Sequence, residues 1–241
     1  SSVNPKAKAL SGTSLFPQTE IPGSLMVEIT AAELKAAESI FGDRLELAKR
    51  YVEHLATSGT ERGLIGPREV PRLWSRHVLN CAVIEREIAQ GSHVADVGSG
   101  AGLPGLCLAI ARPDLELTLI EPLERRVIWL QEVVDDLGLD NVTVMRTRAE
   151  LAVGQVTADV VTARAVSALS NLAGLTIPLL GGTGEVVAIK GRSAGEEIEK
   201  AAKVIRKLGG VETSVVVVGE DILEEPTTVV RIVVNKPRKI A

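Results

Sequence analysis

The chain has 241 residues, 45% of them hydrophobic and 24% charged, which is the composition of a soluble globular protein holding one large α/β domain or a domain with an appended helical region. A net charge of −4 and an aromatic content of 2% give no global sign of nucleic-acid binding and exclude extensive base stacking, so any RNA contact must be local. No apolar run approaches the roughly 20 residues that span a bilayer, and the N-terminus lacks a hydrophobic signal core, so a cytoplasmic protein is expected.

Residues 1–29 are rich in Ser, Pro, Gly and Thr without a period and read as a flexible N-terminal tail. Residues 30–90 read as a helical region. Thr30-Ala-Ala-Glu33 is a capping box opening an amphipathic helix, and Gly42-Asp43 punctuates before a second helix carrying Leu45, Ala48, Tyr51, Val52 and Leu55. Gly59 to Gly66 reads as a loop. Pro71 then starts a third helix, Arg72 to Ile88, with Leu73, Trp74, Val78, Cys81 and Ile84 at helical spacing. Gly91-Ser92 ends it.

From residue 91 to 241, strands and helices alternate as in a parallel sheet with helices on both faces. Strands are predicted near 93–97, 116–120, 142–146, 158–162 and 184–189, with helices near 103–111, 123–137, 167–179 and 194–208. Two last β-rich runs, Glu212 to Val218 and Thr228 to Asn235, have no helix between them and should be antiparallel. The expected fold is α/β, a seven-stranded and mostly parallel sheet ending in an antiparallel hairpin and preceded by the helical extension. Residues 30–241 are expected to form one compact unit, and nothing demands more than a monomer. Cys81 and Cys107 both lie in apolar helical patterns and read as buried thiols, not as a disulfide, metal site or nucleophile. No metal site is expected. Trp74 and Trp129 lie at core spacing.

Val94-Ala-Asp-Val-Gly-Ser-Gly-Ala-Gly-Leu-Pro-Gly105 reads as a buried strand running through a glycine-rich turn into a helix, a cradle for a nucleotide-like cofactor. Leu117-Thr-Leu-Ile-Glu121 follows as a second apolar strand ending in a carboxylate suited to ribose hydroxyls, although such an acid can also cap the next helix. Gly100-Ala-Gly102-Leu-Pro-Gly105 matches the G-x-G-x-x-G dinucleotide pattern. The fuller Asp96-x-Gly98-x-Gly100-x-Gly102 instead resembles motif I of class I S-adenosylmethionine (SAM) methyltransferases, whose Rossmann-like sheet also ends in a hairpin. The acid-first spelling and that hairpin favour SAM over NAD. A tight turn that binds nothing is disfavoured, because three alternating glycines cost backbone entropy with no packing return.

Trp74-Ser-Arg-His-Val-Leu-Asn80, the motif I run, Arg148-Ala-Glu150, Thr162-Ala-Arg-Ala165 and Ile189-Lys-Gly191 together resemble the RsmG (GidB) family over about residues 31–235. The resemblance implies methyl transfer from SAM to N7 of a specific guanine in 16S ribosomal RNA, in the decoding region of the small subunit. The RNA partner would be 16S rRNA, the 30S subunit or an assembly intermediate, with no membrane and no obligate protein partner. It further implies that Gly98 and Leu103 contact SAM and that Ala149 and Glu150 flank its adenine. Glu121 would hold the ribose, and Arg164 would sit at the methionine end, facing the entry of the guanine. Asp96, Gly100 and Gly102 complete the cofactor turn.

Guanine N7 already carries a lone pair, so in-line transfer needs no general base and catalysis should come from positioning. Absences agree. After the fourth strand the chain has Thr162-Ala-Arg-Ala instead of the Asn/Asp-Pro-Pro-aromatic motif that binds exocyclic amines, and neither cysteine lies in a loop at the sheet's carboxyl edge. Arg164, just beyond a buried strand at the edge where ligands bind, is expected to position the substrate, or failing that to form a surface ion pair. Arg72, Arg76, His77, Lys190 and Arg192 are RNA-binding candidates. His77 and Asn80 share a helix face that could bridge the helical region to the rim of the site, although a histidine on an apolar helix also serves as a structural residue. Lys190 could meet a phosphate or only cap the sheet edge. Rival readings are a SAM-dependent enzyme acting on a small molecule, a non-catalytic ribosome-assembly protein retaining the fold, and a NAD-binding oxidoreductase.

Overall fold

Apolar runs long enough to be buried on both faces become parallel strands once helices cross between them. The computed structural model describes residues 20–21, 27–164 and 167–236. In it these runs are β1 (His93–Val97), β2 (Glu116–Ile120), β3 (Val142–Met145), β4 (Val160–Arg164) and β5 (Thr183–Ile189). β6 (Gly210–Val218) and β7 (Thr227–Asn235) complete a seven-stranded sheet in the order β3-β2-β1-β4-β5-β7-β6. β1 to β5 pair in parallel, whereas β7 runs antiparallel to both β5 and β6. The expected hairpin is present, with its second strand inserted against β5 and its first strand at the edge.

Helices α4 (Gly105–Ala111), α5 (Glu124–Leu137), α7 (Leu169–Thr176) and α8 (Ala194–Leu208) make the crossovers. Strand side chains alternate between the two faces. Val94 and Leu117 therefore join a core with α4 and α5, while Ala95 and Val161 join a second core with α7 and α8. The first core also takes in the N-terminal helices α1 (Ala31–Phe41), α2 (Leu45–His54) and α3 (Leu79–Ala82). Arg50 adds a paired contact from α2 to Asp136 of α5, at 2.6 and 2.9 Å. The Thr30–Glu33 capping box forms as read.

Four sequence expectations are corrected. The third helix is not one α-helix but a tight turn (Pro67–Arg72), wide turns (Leu73–Val78), α3 and another tight turn (Val83–Glu87). Apolar spacing cannot separate these forms, whose periods differ by a fraction of a residue over so short a run. Gly59 does not open a loop: the helix continues through wide turns at Leu55–Gly59 and is helical to Glu61. Gly59 is there for close packing, since a Cβ would lie 3.3 Å from Cζ2 of Trp129, whose indole N–H donates to Ser58 Oγ at 2.9 Å. β4 begins and ends two residues later than 158–162, because the Ala158 amide is taken by Leu179 O outside the sheet ladder. A one-turn helix, α6 (Ala149–Ala152), follows β3 where none was read.

Of the stretch read as a tail, residues 1–19 and 22–26 lie outside the described residues. Ile21 is buried, and Val27 and Ile29 pack against the first core. Among the described residues no helix is long and apolar enough to cross a membrane.

Candidate functional site

The strand order reverses between β1 and β4, and in an open α/β sheet the crevice beyond the strand ends at such a point is where ligands bind. β1 delivers the glycine turn there. The Gly98 and Ser99 amides donate to Ile120 O at 2.9 and 3.2 Å, hooking the turn over the end of β2. Asp96 is fully buried and braces the turn from within. Its Oδ2 accepts from Ser99 Oγ (2.7 Å) and the Gly105 amide (2.9 Å), and its Oδ1 accepts from Thr162 Oγ1 at 3.3 Å. Burial pushes the Asp96 carboxyl up to about 6, with these hydrogen bonds opposing the rise.

Gly105 admits no side chain, because a Cβ would come within 2.3 Å of Leu119 Cδ2 and 2.5 Å of Asp96 Oδ2. Gly98 is the opposite case. Its φ is +67° and a Cβ there would meet nothing within 4 Å, so the turn offers bare backbone to open space. With the carboxylate of Asp96 directed into the turn, that backbone face is what the turn leaves open to the crevice. Gly100 and Gly102 also have positive φ, and Leu103 is buried.

Glu121, 2% exposed at the end of β2, is the neighbouring wall. Its Oε2 accepts from the Gly100 amide at 3.1 Å, its Oε1 accepts from the Leu123 amide at 3.3 Å, and Arg126 Nη1 lies 3.6 Å away. Leu123 immediately precedes α5, so this bond holds the entry to the helix and does not cap its first-turn amides. The bond to Gly100 joins the acid to the glycine turn. Ala149, buried, and Glu150, exposed, open α6 at the end of β3. Gly98, Glu121 and Ala149 thus follow the carboxyl ends of three adjacent strands.

Arg164 is the last residue of β4 rather than the first beyond it, and it is exposed. Its Nη1 donates to Nδ1 of His77 at 2.7 Å, and Nε2 of His77 lies 2.9 Å from Glu69 Oε2. A guanidinium can only donate, so Nδ1 accepts and the imidazole proton sits on Nε2, where it donates to Glu69. Burial, with help from Arg164, holds the His77 pKa below its ordinary value despite Glu69. His77 therefore does bridge the helical region to the strand edge. Asn80 does not. Thr227 Oγ1 donates to its carbonyl at 2.7 Å, and its side-chain amide, oriented to donate, reaches Glu225 O and Ser75 O.

Lys190 is turned inward: it is 9% exposed, donates to Ser167 O at 2.8 Å and pairs with Glu197 at 2.9 Å. Arg72, Arg76 and Arg192 are exposed. Ala165, the end of the Thr-Ala-Arg-Ala run, lies outside the described residues. Cys81 and Cys107 are buried free thiols, and burial raises the Cys107 thiol well above its ordinary value. Among the described residues no cluster of His, Cys, Asp or Glu could hold a metal. Cavities of about 430 Å³, around Val27, Val52 and Trp74, and about 380 Å³, around Pro71, Leu79 and Leu223, contain none of the glycine-turn residues. They are separate from this crevice.

Two contacts at the site went unread in the sequence. The hydroxyl of fully buried Tyr51, from α2, donates to Ala101 O of the glycine turn at 2.5 Å. A lone tyrosine on an apolar helix face signals that its hydroxyl needs a partner, but not which one. Glu69 gave no signal at all.

The chain matches a family model described as rRNA small subunit methyltransferase G (GidB) over residues 44–226. It is 94% identical over 216 residues to the ribosomal RNA small subunit methyltransferase G of Arthrobacter sp. (strain FB24), covering 90% of this chain and the whole of that protein. To the protein of the same name from Corynebacterium glutamicum (strain R) it is 57% identical over 202 residues, 82% of this chain and 90% of the relative. Among solved structures, M. jannaschii TYW2 in complex with AdoMet aligns over 68% of this chain and 78% of its own, with a TM-score of 0.53 and 16% identity, a likeness of fold alone.

Proposed function

Because the chain belongs to the rRNA small subunit methyltransferase G (GidB) family, we propose that it methylates N7 of one guanine in 16S rRNA, using S-adenosyl-L-methionine as donor. The observation that carries this reading is the bare backbone face of the glycine turn, walled by Glu121 and set one strand away from an exposed arginine at the end of β4.

When bound, SAM supplies an electrophilic methyl group on a sulfonium. The residues of the chain do the holding. Asp96 fixes both ends of the turn, Gly98 and Gly100 present backbone to the donor, and Glu121 accepts from its ribose hydroxyls. Ala149 and Glu150 border the adenine. Arg164 orients the incoming nucleotide through a phosphate or guanine O6, leaving N7 free to attack. Since N7 needs no deprotonation, the reaction does not call on the Nδ1 of His77, which is engaged with Arg164. Alignment of two bound partners contributes most, up to roughly 7–11 kcal/mol when geometry is good.

Exposed Arg72, Arg76 and Arg192 supply local positive charge for RNA phosphates on a chain that is acidic overall. Lys190, committed to Glu197, braces the β4–α7 connection instead. The test is incubation of the purified protein with methyl-labelled SAM and either 16S rRNA or 30S subunits lacking the modification, followed by nucleoside analysis. Label in 7-methylguanosine supports the assignment. Label only in a small molecule, or in no product, overturns it.

A further inference from the structure

Three stretches distant in sequence converge on one guanidinium. Arg164 ends β4, His77 lies in the wide turns Leu73–Val78, and Glu69 lies in the tight turn Pro67–Arg72. The links are 2.7 Å from Arg164 Nη1 to His77 Nδ1 and 2.9 Å from His77 Nε2 to Glu69 Oε2. The polarity of this chain is fixed by chemistry. Arginine has no acceptor, so His77 must keep Nδ1 bare, and a carboxylate on Nε2 selects the tautomer that does so. His77 is mostly buried, with its side chain 15% exposed, so its imidazole is not a free contact for RNA.

We infer that His77 and Glu69 are positioning residues for Arg164: the neutral imidazole aims the guanidinium across the mouth of the site, and Glu69 holds the imidazole in its accepting form. This rests on the reading of Arg164 as the group that orients the RNA. It moves His77 from RNA contact to support of one.

The groups facing His77 define a pH response. Glu69 favours the imidazolium, whereas burial, Arg164 and Arg76 oppose it, with Arg72 further acting on Glu69, and the balance leaves the pKa below the ordinary histidine value. At neutral pH the ring is therefore neutral and accepts from Arg164. As pH falls through the depressed pKa, a proton on Nδ1 breaks that bond and sets two positive charges side by side, so turnover declines on the acid side.

Two substitutions separate positioning from bulk structure. His77→Gln places an amide near the position of Nε2, keeping a partner for Glu69 but removing the acceptor for Arg164. His77→Asn places a carbonyl near the position of Nδ1, keeping the acceptor. Methylation of 30S subunits at saturating SAM should fall about 10- to 100-fold in kcat for His77→Gln, as expected for a misaimed group, with SAM affinity unchanged. His77→Asn should recover most of that loss and remove the acid limb of the pH profile. Equal rates and equal pH profiles in wild type and His77→Gln overturn the proposal, as do equal losses in both variants. Should His77→Gln fail to fold, Glu69→Ala carries the test: a lower kcat and an acid limb moved to lower pH are expected, and an unchanged profile overturns it. Arg164→Ala runs in parallel. If it methylates normally, the reading of Arg164 itself fails; if it is inactive while His77→Gln is not, only the present inference fails.

Discussion

Substituting alanine at Gly98 and at Gly105 makes two changes of one carbon, seven residues apart, with opposite expected consequences. At Gly98 the cost to folding is conformational: an L-residue at φ +67° pays about 1–2 kcal/mol, and no atom of the protein lies within 4 Å of the new methyl. At Gly105 the cost is steric. A methyl 2.3 Å from Leu119 and 2.5 Å from Asp96 must push α4 off β1 and β2, roughly 1–3 kcal/mol for overpacking. Loss of the Gly105 amide bond to the buried carboxylate would add about 1–3 kcal/mol. Urea unfolding should therefore rank Gly105→Ala well below Gly98→Ala in stability. Calorimetric titration with SAM should show Gly98→Ala binding at least about tenfold more weakly, the equivalent of ~1.4 kcal/mol, because its methyl stands where backbone must approach the donor. Wild-type SAM affinity in Gly98→Ala would refute the assignment of that open face, and wild-type stability in Gly105→Ala would refute the packing argument.

Three further predictions follow from individual contacts. The folded-state pKa of Asp96 is raised from 3.8 to about 6, so the folded protein binds more protons than the unfolded chain across that window and loses stability as pH rises through it, by about 3 kcal/mol. Asp96→Asn, neutral and still able to accept from Ser99 and Gly105, should flatten the pH dependence of the urea midpoint; an undiminished slope contradicts the buried charge. Tyr51→Phe leaves Ala101 O buried without its donor and should cost about 1–3 kcal/mol together with weaker SAM binding, whereas a neutral effect in both measurements would deny the contact a role. Arg76→Ala should reduce the salt slope of RNA binding by about 1, while Lys190→Met should destabilise the fold and leave that slope alone. The reverse pattern would return Lys190 to the RNA surface.

What could be read in advance follows the range of the interaction. Strands, crossovers and the closing hairpin are written in local apolar period, and the glycine turn is written in residues that only its backbone conformation explains. The site's position at the reversal of strand order follows from those two. Contacts that depend on partners far along the chain were legible only in part: the bridge expected of His77 found its partner in Arg164, whereas Tyr51 reaches Ala101 across a separation that no local pattern encodes. Gly59 looked like punctuation because composition does not distinguish a glycine that turns from one that lets a tryptophan approach. The broken third helix and the later bounds of β4 arose in the same way, since apolar spacing marks a buried face but not which hydrogen bonds the backbone makes beneath it. Lys190 carried a charge at the expected edge, yet its direction was decided by Glu197 on a different element.

The most direct measurement is mass spectrometry of nucleosides from 16S rRNA of cells lacking the family enzyme, complemented with this chain or with its Arg164→Ala variant. Restoration of 7-methylguanosine by the former and not by the latter is the predicted result. Complementation that leaves the guanines of 16S rRNA unmodified, or that places the methyl on any atom other than N7, would contradict it.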